Sequence, residues 1–204
     1  MIRKLALIFL LTIVAAAAGV FVWSGIKTSQ AVDLGVVYSD EALESFNNKV
    51  GPRVSGIVAG GLPIGDSFSS AELTSFLTVL AKEKNLPIKN IQVRFHENSF
   101  EASVVAQKFV FIKGDVYIKG NVEVKGPRKI QVSIQELRSK TIPISAEMKN
   151  TIEQKLNEGI QHLFNQYGPD ERFLRIQRLE LSEDQLYVSG IFPVEFFPDS
   201  KIRF

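Results

Sequence analysis

Residues 145–167 read SAEMKNTIEQKLNEGIQHLFNQY, and their spacing decides the fold class. Met148, Ile152, Leu156, Ile160, Leu163, Phe164 and Tyr167 recur at helical i, i+3, i+4, i+7 intervals, whereas Lys149, Glu153, Gln154, Lys155, Glu158 and Gln161 fill the opposite side. The pattern predicts one long amphipathic helix. Ser145 supplies an N-cap oxygen, Glu147 sits in the first turn against the positive end of the helix dipole, and Gly168-Pro169 stops the helix. At about 1.5 Å per residue such a helix spans roughly 30 Å, and a stripe so wide and aromatic has to be covered.

The flanking sequence supplies the cover. Upstream, Ile91, Val93 and Phe95 alternate with Gln92, Arg94 and His96, and Asn98-Ser99 turns into a second run over 100–113. In that run Val104-Val105 and residues 109–112 break strict alternation, which predicts a bulge or a strand covered on both faces. Gly114-Asp115 reads as the next turn. Val116, Ile118, Val122 and Val124 then keep the two-residue period, as do Ile130, Val132 and Ile134 after Gly126-Pro127. Downstream, residues 173–181 and 186–192 read as a hairpin turned at Ser182-Glu183-Asp184-Gln185. The expected class is therefore α+β, with a curved antiparallel sheet wrapped on the long helix. The aromatic, proline-broken tail 193–204 is expected over a sheet edge.

Two shorter helices precede the sheet. Residues 38–50 carry Ser39 as N-cap, Asp40 and Glu41 in the first turn, and Leu43, Phe46 and Val50 on one face, with Gly51-Pro52 as the stop. Residues 69–84 open on a capping box of Ser69 and Glu72, with Phe68 and Leu73 placed as a hydrophobic staple and Asn85 and Pro87 ending the helix. Between them, residues 54–59 suit a short strand and Gly60-Gly61-Leu62-Pro63-Ile64-Gly65 a loop, which lacks the Lys-Ser/Thr of a P-loop and the spacing of a dinucleotide fingerprint.

The N-terminus bears on location. Arg3 and Lys4 precede an uncharged apolar run over residues 5–23, and the next charge is Lys27. This predicts a single-pass membrane anchor with a cytoplasmic N-terminus and an extracytoplasmic domain, Trp23 lying at the far interface. A cleaved signal peptide with its cut at Ala16-Ala17-Ala18 is the alternative, but Val20-Phe21-Val22-Trp23 prolongs the run to about bilayer length. The domain organisation expected is an anchor at 1–26, a juxtamembrane segment with a short helix and Gly-rich loop at 27–66, and an α+β domain at 67–204.

Composition narrows the function. With 24 basic and 22 acidic residues the net charge is +2, which argues against a nucleic-acid binder, and the absence of cysteine excludes a disulfide, a thiolate metal site and a thiol nucleophile. Neither histidine has a motif around it: His96 is on the outward phase of a strand, and His162 follows Glu158 on the helix. Glu183 and Asp184 are adjacent in a turn, and Glu41 and Glu44 lie along a solvated face, so no convergent acid/base pair is visible. A non-enzymatic protein without cofactor or metal is expected. Lys119, Lys125, Arg128 and Lys129 form part of a basic strip in the meander; this is either a solvated, edge-guarding face or a contact for anionic headgroups or an acidic envelope polymer.

The order of parts resembles small bacterial membrane-anchored envelope domains of the YpmS type and, more loosely, tubular lipid-binding (TULIP-like) half-barrels. The resemblance rests on the Phe68-Ser69-Ser70-Ala71-Glu72-Leu73 helix start, the strands at 91–95 and 100–106, the long helix, Arg175-Ile176-Gln177-Arg178-Leu179-Glu180-Leu181 and Leu186-Tyr187-Val188-Ser189-Gly190, and spans about residues 67–193. It implies an apolar groove between sheet and helix for lipid or another hydrophobic ligand. On the apolar phases of the sheet and the long helix, and on the Leu73, Phe76, Leu77 and Leu80 stripe of the helix at 69–84, Leu77, Leu80, Val93, Phe95, Val104, Met148, Ile152, Leu156, Ile160, Leu163 and Phe164 would line it. The alternative is an envelope scaffold or protein-interaction module whose core is fully packed.

Overall fold

In the computed structural model of the chain, residues 32–50, 62–86, 88–109, 112–139, 143–166 and 175–192 are described. Among them are three helices, α1 (Asp40–Val50), α2 (Ser70–Glu83) and α3 (Ala146–Gln166). The strands are β1 (Leu62–Ser69), β2 (Ile88–His96), β3 (Ser99–Phe109), β4 (Ile112–Gly126), β5 (Lys129–Arg138), β6 (Arg175–Ser182) and β7 (Gln185–Phe192). The class is mixed α+β, but the described strands form two antiparallel sheets, not one: a meander β2-β3-β4-β5 and a smaller sheet β1-β7-β6. The apolar run 5–23, the expected strand at 54–59, the Gly168-Pro169 stop and the tail 193–204 lie outside the described residues. Among those described, no helix is long and apolar enough to cross a membrane.

The second sheet arises where a loop was expected. From Leu62 onward the Gly/Pro-rich segment is strand β1, paired with β7 from Leu62↔Phe192 to Ser69↔Gln185. Pro63 lacks a donor and is tolerated because β1 is an edge strand. Gly114 and Asp115 likewise do not turn the chain; they pair with Ala106 and Val105 inside the fifteen-residue strand β4. The other turns fall where their residues predict. In the two-residue loops after His96 and Ser182, Asn98 and Asp184 have φ of 60° and 59°, a region these two residue types tolerate better than most.

Irregularities in the meander keep its apolar residues on one face. The bulge between Lys89 and Gln92 shifts the phase of β2, so that Ile88 as well as Ile91, Val93 and Phe95 is buried. In β5 the skip at Gln135 buries Leu137 after Ile130, Val132 and Ile134 in the same way. In β3, Val104 and Val105 are both buried, so that strand is covered on both faces, as its broken alternation predicts.

Each edge of the meander is closed by polar side chains from a helix. Along β2, the Ser70 hydroxyl accepts from the Phe95 amide at 3.0 Å and the Thr74 hydroxyl from the Val93 amide at 2.9 Å. Along β5, Asn157 accepts from the Val132 amide and donates to the Val132 carbonyl, both at 2.8 Å, while Glu153 accepts from the Ile134 amide and Lys149 donates to the Ile134 carbonyl. Spacings of i, i+4 and i+8 place these groups in a row along the helix, where they satisfy an edge that would otherwise be open to another strand. Lys149 and Glu153 therefore do not lie on a solvated back face. The Asn157→Leu variant, which leaves the Val132 amide and carbonyl unpaired, is expected to lose about 2 kcal/mol of stability and to show faster Val132 amide exchange, both measurable by native-state hydrogen exchange.

The helices begin as their sequences predict. Ser69 has an extended backbone and completes a reciprocal capping box with Glu72, and Ser145 accepts from the Met148 amide at 3.1 Å. α2 ends in a Schellman arrangement, with Leu86 N donating to Ala81 O, Asn85 N to Lys82 O, and Asn85 at φ 49°. The boundary expected at residue 66 does not divide the core. Phe46 of α1 is 1% exposed, with its ring stacked on Phe76 at 4.3 Å and tilted against Phe68 at 5.3 Å. Further upstream, Leu34 is buried, its amide donating to the Gln92 side chain and its carbonyl accepting from Arg94.

Candidate functional site

The residues assigned to a lipid groove do come together, but they meet one another. Leu77 and Leu80 of α2, Val93 and Phe95 of β2, Val104 of β3, and Ile152, Leu156, Ile160 and Phe164 of α3 are all buried members of one hydrophobic cluster. Met148 packs half-buried against it, and the side chain of Leu163 lies outside the described residues. α3 runs along β5 instead of crossing the middle of the sheet, α2 runs along β2, and β6 packs over β4 between them. The hairpin is tied on by Asn98 N donating to Leu181 O, Asp184 N to Phe95 O and Ile176 N to Pro127 O. Three elements thus cover the apolar face that one helix was expected to cover.

The basic strip is dispersed. Lys119 lies in mid-β4 opposite both Glu101 and Glu136, and its ammonium is 3.3 Å from the Glu101 carboxylate. Lys125 pairs with Glu123, and Arg128 donates to the Phe164 carbonyl in the last turn of α3, which leaves Lys129 as the one cation of the four without such a partner among the described residues. Lys119 and Lys125 are about 20 Å apart at roughly 3.3 Å per strand residue, beyond a Debye length at moderate salt, so they do not act as one charge cluster.

On the outer face, His96 stands 3.6 Å from Glu101 on one side and 3.6 Å from Glu183 on the other, a convergence invisible in the sequence because Glu183 arrives from the β6–β7 turn. Burial pushes the Glu101 carboxyl up, but hydrogen bonds from Tyr117 and Lys119 and the nearby charges of His96 and Lys119 outweigh it, and its pKa is lowered. Burial and the hydrogen bond to Glu101 push the Tyr117 phenol up to about 12. A phenol so held is a donor at neutral pH, and the group is a polar staple joining the ends of two hairpins. No group of three or more His, Cys, Asp or Glu positioned to hold a metal occurs among the described residues.

A second buried polar group joins α1 to α2. Glu72 accepts from Lys49 Nζ at 2.8 Å, from the Ser69 amide at 2.7 Å and from the Ser45 hydroxyl. Burial pushes its carboxyl up, but these partners together hold its pKa below the usual carboxylate value. The capping role of Glu72 is legible in the sequence and this second one is not, because Lys49 and Ser45 lie on another helix.

A concave feature of the surface lies where α2 hands over to β2. A pocket of about 520 Å³ there is lined by both elements. Its floor is Ala81, Ile88 and Ile91, all buried, and its rim is Lys82, Asn85, Lys89 and Asn90, all exposed. Two left-handed asparagines shape it: Asn85 ends the helix and Asn90, at φ 51°, sits in the β2 bulge. Lys82 and Lys89 make no ion pair among the described residues, and no linear motif marks the site. No protein-family model matches the chain, and no curated protein or solved structure matches it.

Proposed function

We propose that this chain is a membrane-tethered, extracytoplasmic, non-catalytic interaction module of the cell envelope, with a core filled by its own side chains. The observation that supports the reading is burial: nine of the eleven residues assigned to the groove belong to one cluster of buried side chains from four elements. An acyl chain would need a continuous apolar tunnel in the same place. The tether rests on Arg3, Lys4 and the run 5–23, and on the docking of Leu34 against Gln92 and Arg94. From Lys27 to Leu34 the chain reaches at most about 25 Å, which would hold the outer face of β2 near the bilayer.

Lipid transfer tests the packed core. The full chain, reconstituted in neutral vesicles, is expected not to accelerate transfer of a fluorescent phospholipid to acceptor vesicles; acceleration would overturn the reading in favour of lipid handling. The anchor has its own probe, because Trp23 is the single tryptophan. Its fluorescence is expected to be quenched by brominated phospholipids in the same vesicles, and an unquenched signal would reject membrane insertion of the segment.

A further inference from the structure

The pocket between α2 and β2 lies where a regular pattern stops. Ser70 and Thr74 close the edge of β2 at Phe95 and Val93, so the next group in the i+4 series, Thr78, would close it at Ile91. The Thr78 hydroxyl instead donates to the Thr74 carbonyl of its own helix at 2.8 Å. By the alternation that turns the Val93 and Phe95 amides toward α2, the Ile91 backbone faces the same side, into the pocket that Thr78 and Ile91 both line. The bulge between Lys89 and Gln92 sits at this point and leaves Ile91 without a partner residue in β3.

A stretch of the β2 edge at Ile91 to which no described helix side chain bonds, an apolar floor and two rim lysines without an ion pair among the described residues define a complementary ligand. A free edge recognises extended backbone, alternate apolar side chains fit a floor of Ala81, Ile88 and Ile91, and carboxylates match Lys82 and Lys89. A volume of about 520 Å³ holds a few residues of peptide, not a folded domain. We propose that this pocket docks a short, extended acidic segment of a partner protein, which adds to the β2 edge at Ile91 and places its carboxylates on Lys82 and Lys89. The inference rests on the interaction-module reading and names the partner chemistry of one site.

The test uses the full chain in neutral detergent micelles and a fluorescent, end-blocked hexapeptide of alternating valine and glutamate, followed by anisotropy at low and moderate salt. Saturable binding is expected. It should weaken about three- to tenfold in Lys82→Gln/Lys89→Gln, as two exposed ion pairs would. It should be lost when the peptide's backbone amides are N-methylated, which preserves charge but prevents strand addition. A valine–glutamine peptide should bind about as weakly as the acidic one binds to the double variant. No saturation, equal binding of the N-methylated peptide, or no change in the double variant would each overturn the proposal. Circular dichroism of the double variant confirms that the fold is kept, since both lysines are exposed. Failure here leaves the packed core standing, whereas lipid transfer by the chain would remove the module reading whatever the peptide does.

Discussion

Replacing Lys49 by Met is expected to lower stability by about 3 kcal/mol at pH 7, because it leaves the Glu72 carboxylate buried without its counter-charge. Lys49 Nζ contacts Glu72 at 2.7 Å and also donates to the Ser67 carbonyl, while the methylenes that Met retains keep the packing. The pH dependence distinguishes a lost charge pair from lost packing. In the parent chain the Glu72 pKa is lowered on folding, so its contribution is fully present above the unfolded carboxylate pKa and is lost as pH falls through the lower folded value. Without Lys49 the burial that pushes the pKa up is less opposed, and ionising Glu72 then opposes folding. The deficit of Lys49→Met should therefore shrink toward the cost of the Ser67 hydrogen bond, about 1 kcal/mol, as pH falls below the ordinary carboxylate range. Adding Glu72→Gln should recover part of the loss at pH 7. Urea unfolding of the variants at several pH values gives the cycle, and a deficit independent of pH would show that the pair is not the cause.

Leu156→Ala is expected to cost about 2–5 kcal/mol, the range for deleting a buried leucine side chain that its surroundings cannot replace. Leu156 is 5% exposed and lies between Ile152 and Ile160 in the row of α3 residues that enters the core, with Phe164 at 0% completing the row. Were this row the wall of a lipid channel, truncation would cost less, and added phospholipid would restore part of it by filling the space. Denaturant unfolding with and without phospholipid is expected to give the same full loss. A small loss, or one reversed by lipid, would point to an open groove.

Much of the local structure follows from short stretches of the chain. The bounds of α2 and α3 are set by Ser69, Asn85 and Ser145, whose side chains or left-handed backbone satisfy the groups a helix end leaves unpaired. The β2–β3, β4–β5 and β6–β7 turns follow from Asn98, Gly126-Pro127 and Asp184 in the same way. The inward phase of β2 to β5 is also legible, because alternation is enforced by burial of one face. These are interactions among residues a few positions apart, and their chemistry is written in the order of the chain.

What the fold adds comes from residues far apart. Leu62–Gly65 has the composition of a loop and becomes strand because β7 supplies its hydrogen bonds, a partner more than a hundred residues away that local propensity cannot register. Lys149 and Glu153 look like a solvated helix face until the β5 edge is placed beside them, and Glu72 looks like a capping residue until α1 brings Lys49. The apolar phases of α2, α3 and the meander required a cover, but periodicity is the same whether that cover is lipid or protein. The meeting of two helices and a second sheet on one face is a tertiary fact that no single phase encodes: the apolar side chains there are buried together in one cluster drawn from distant parts of the chain.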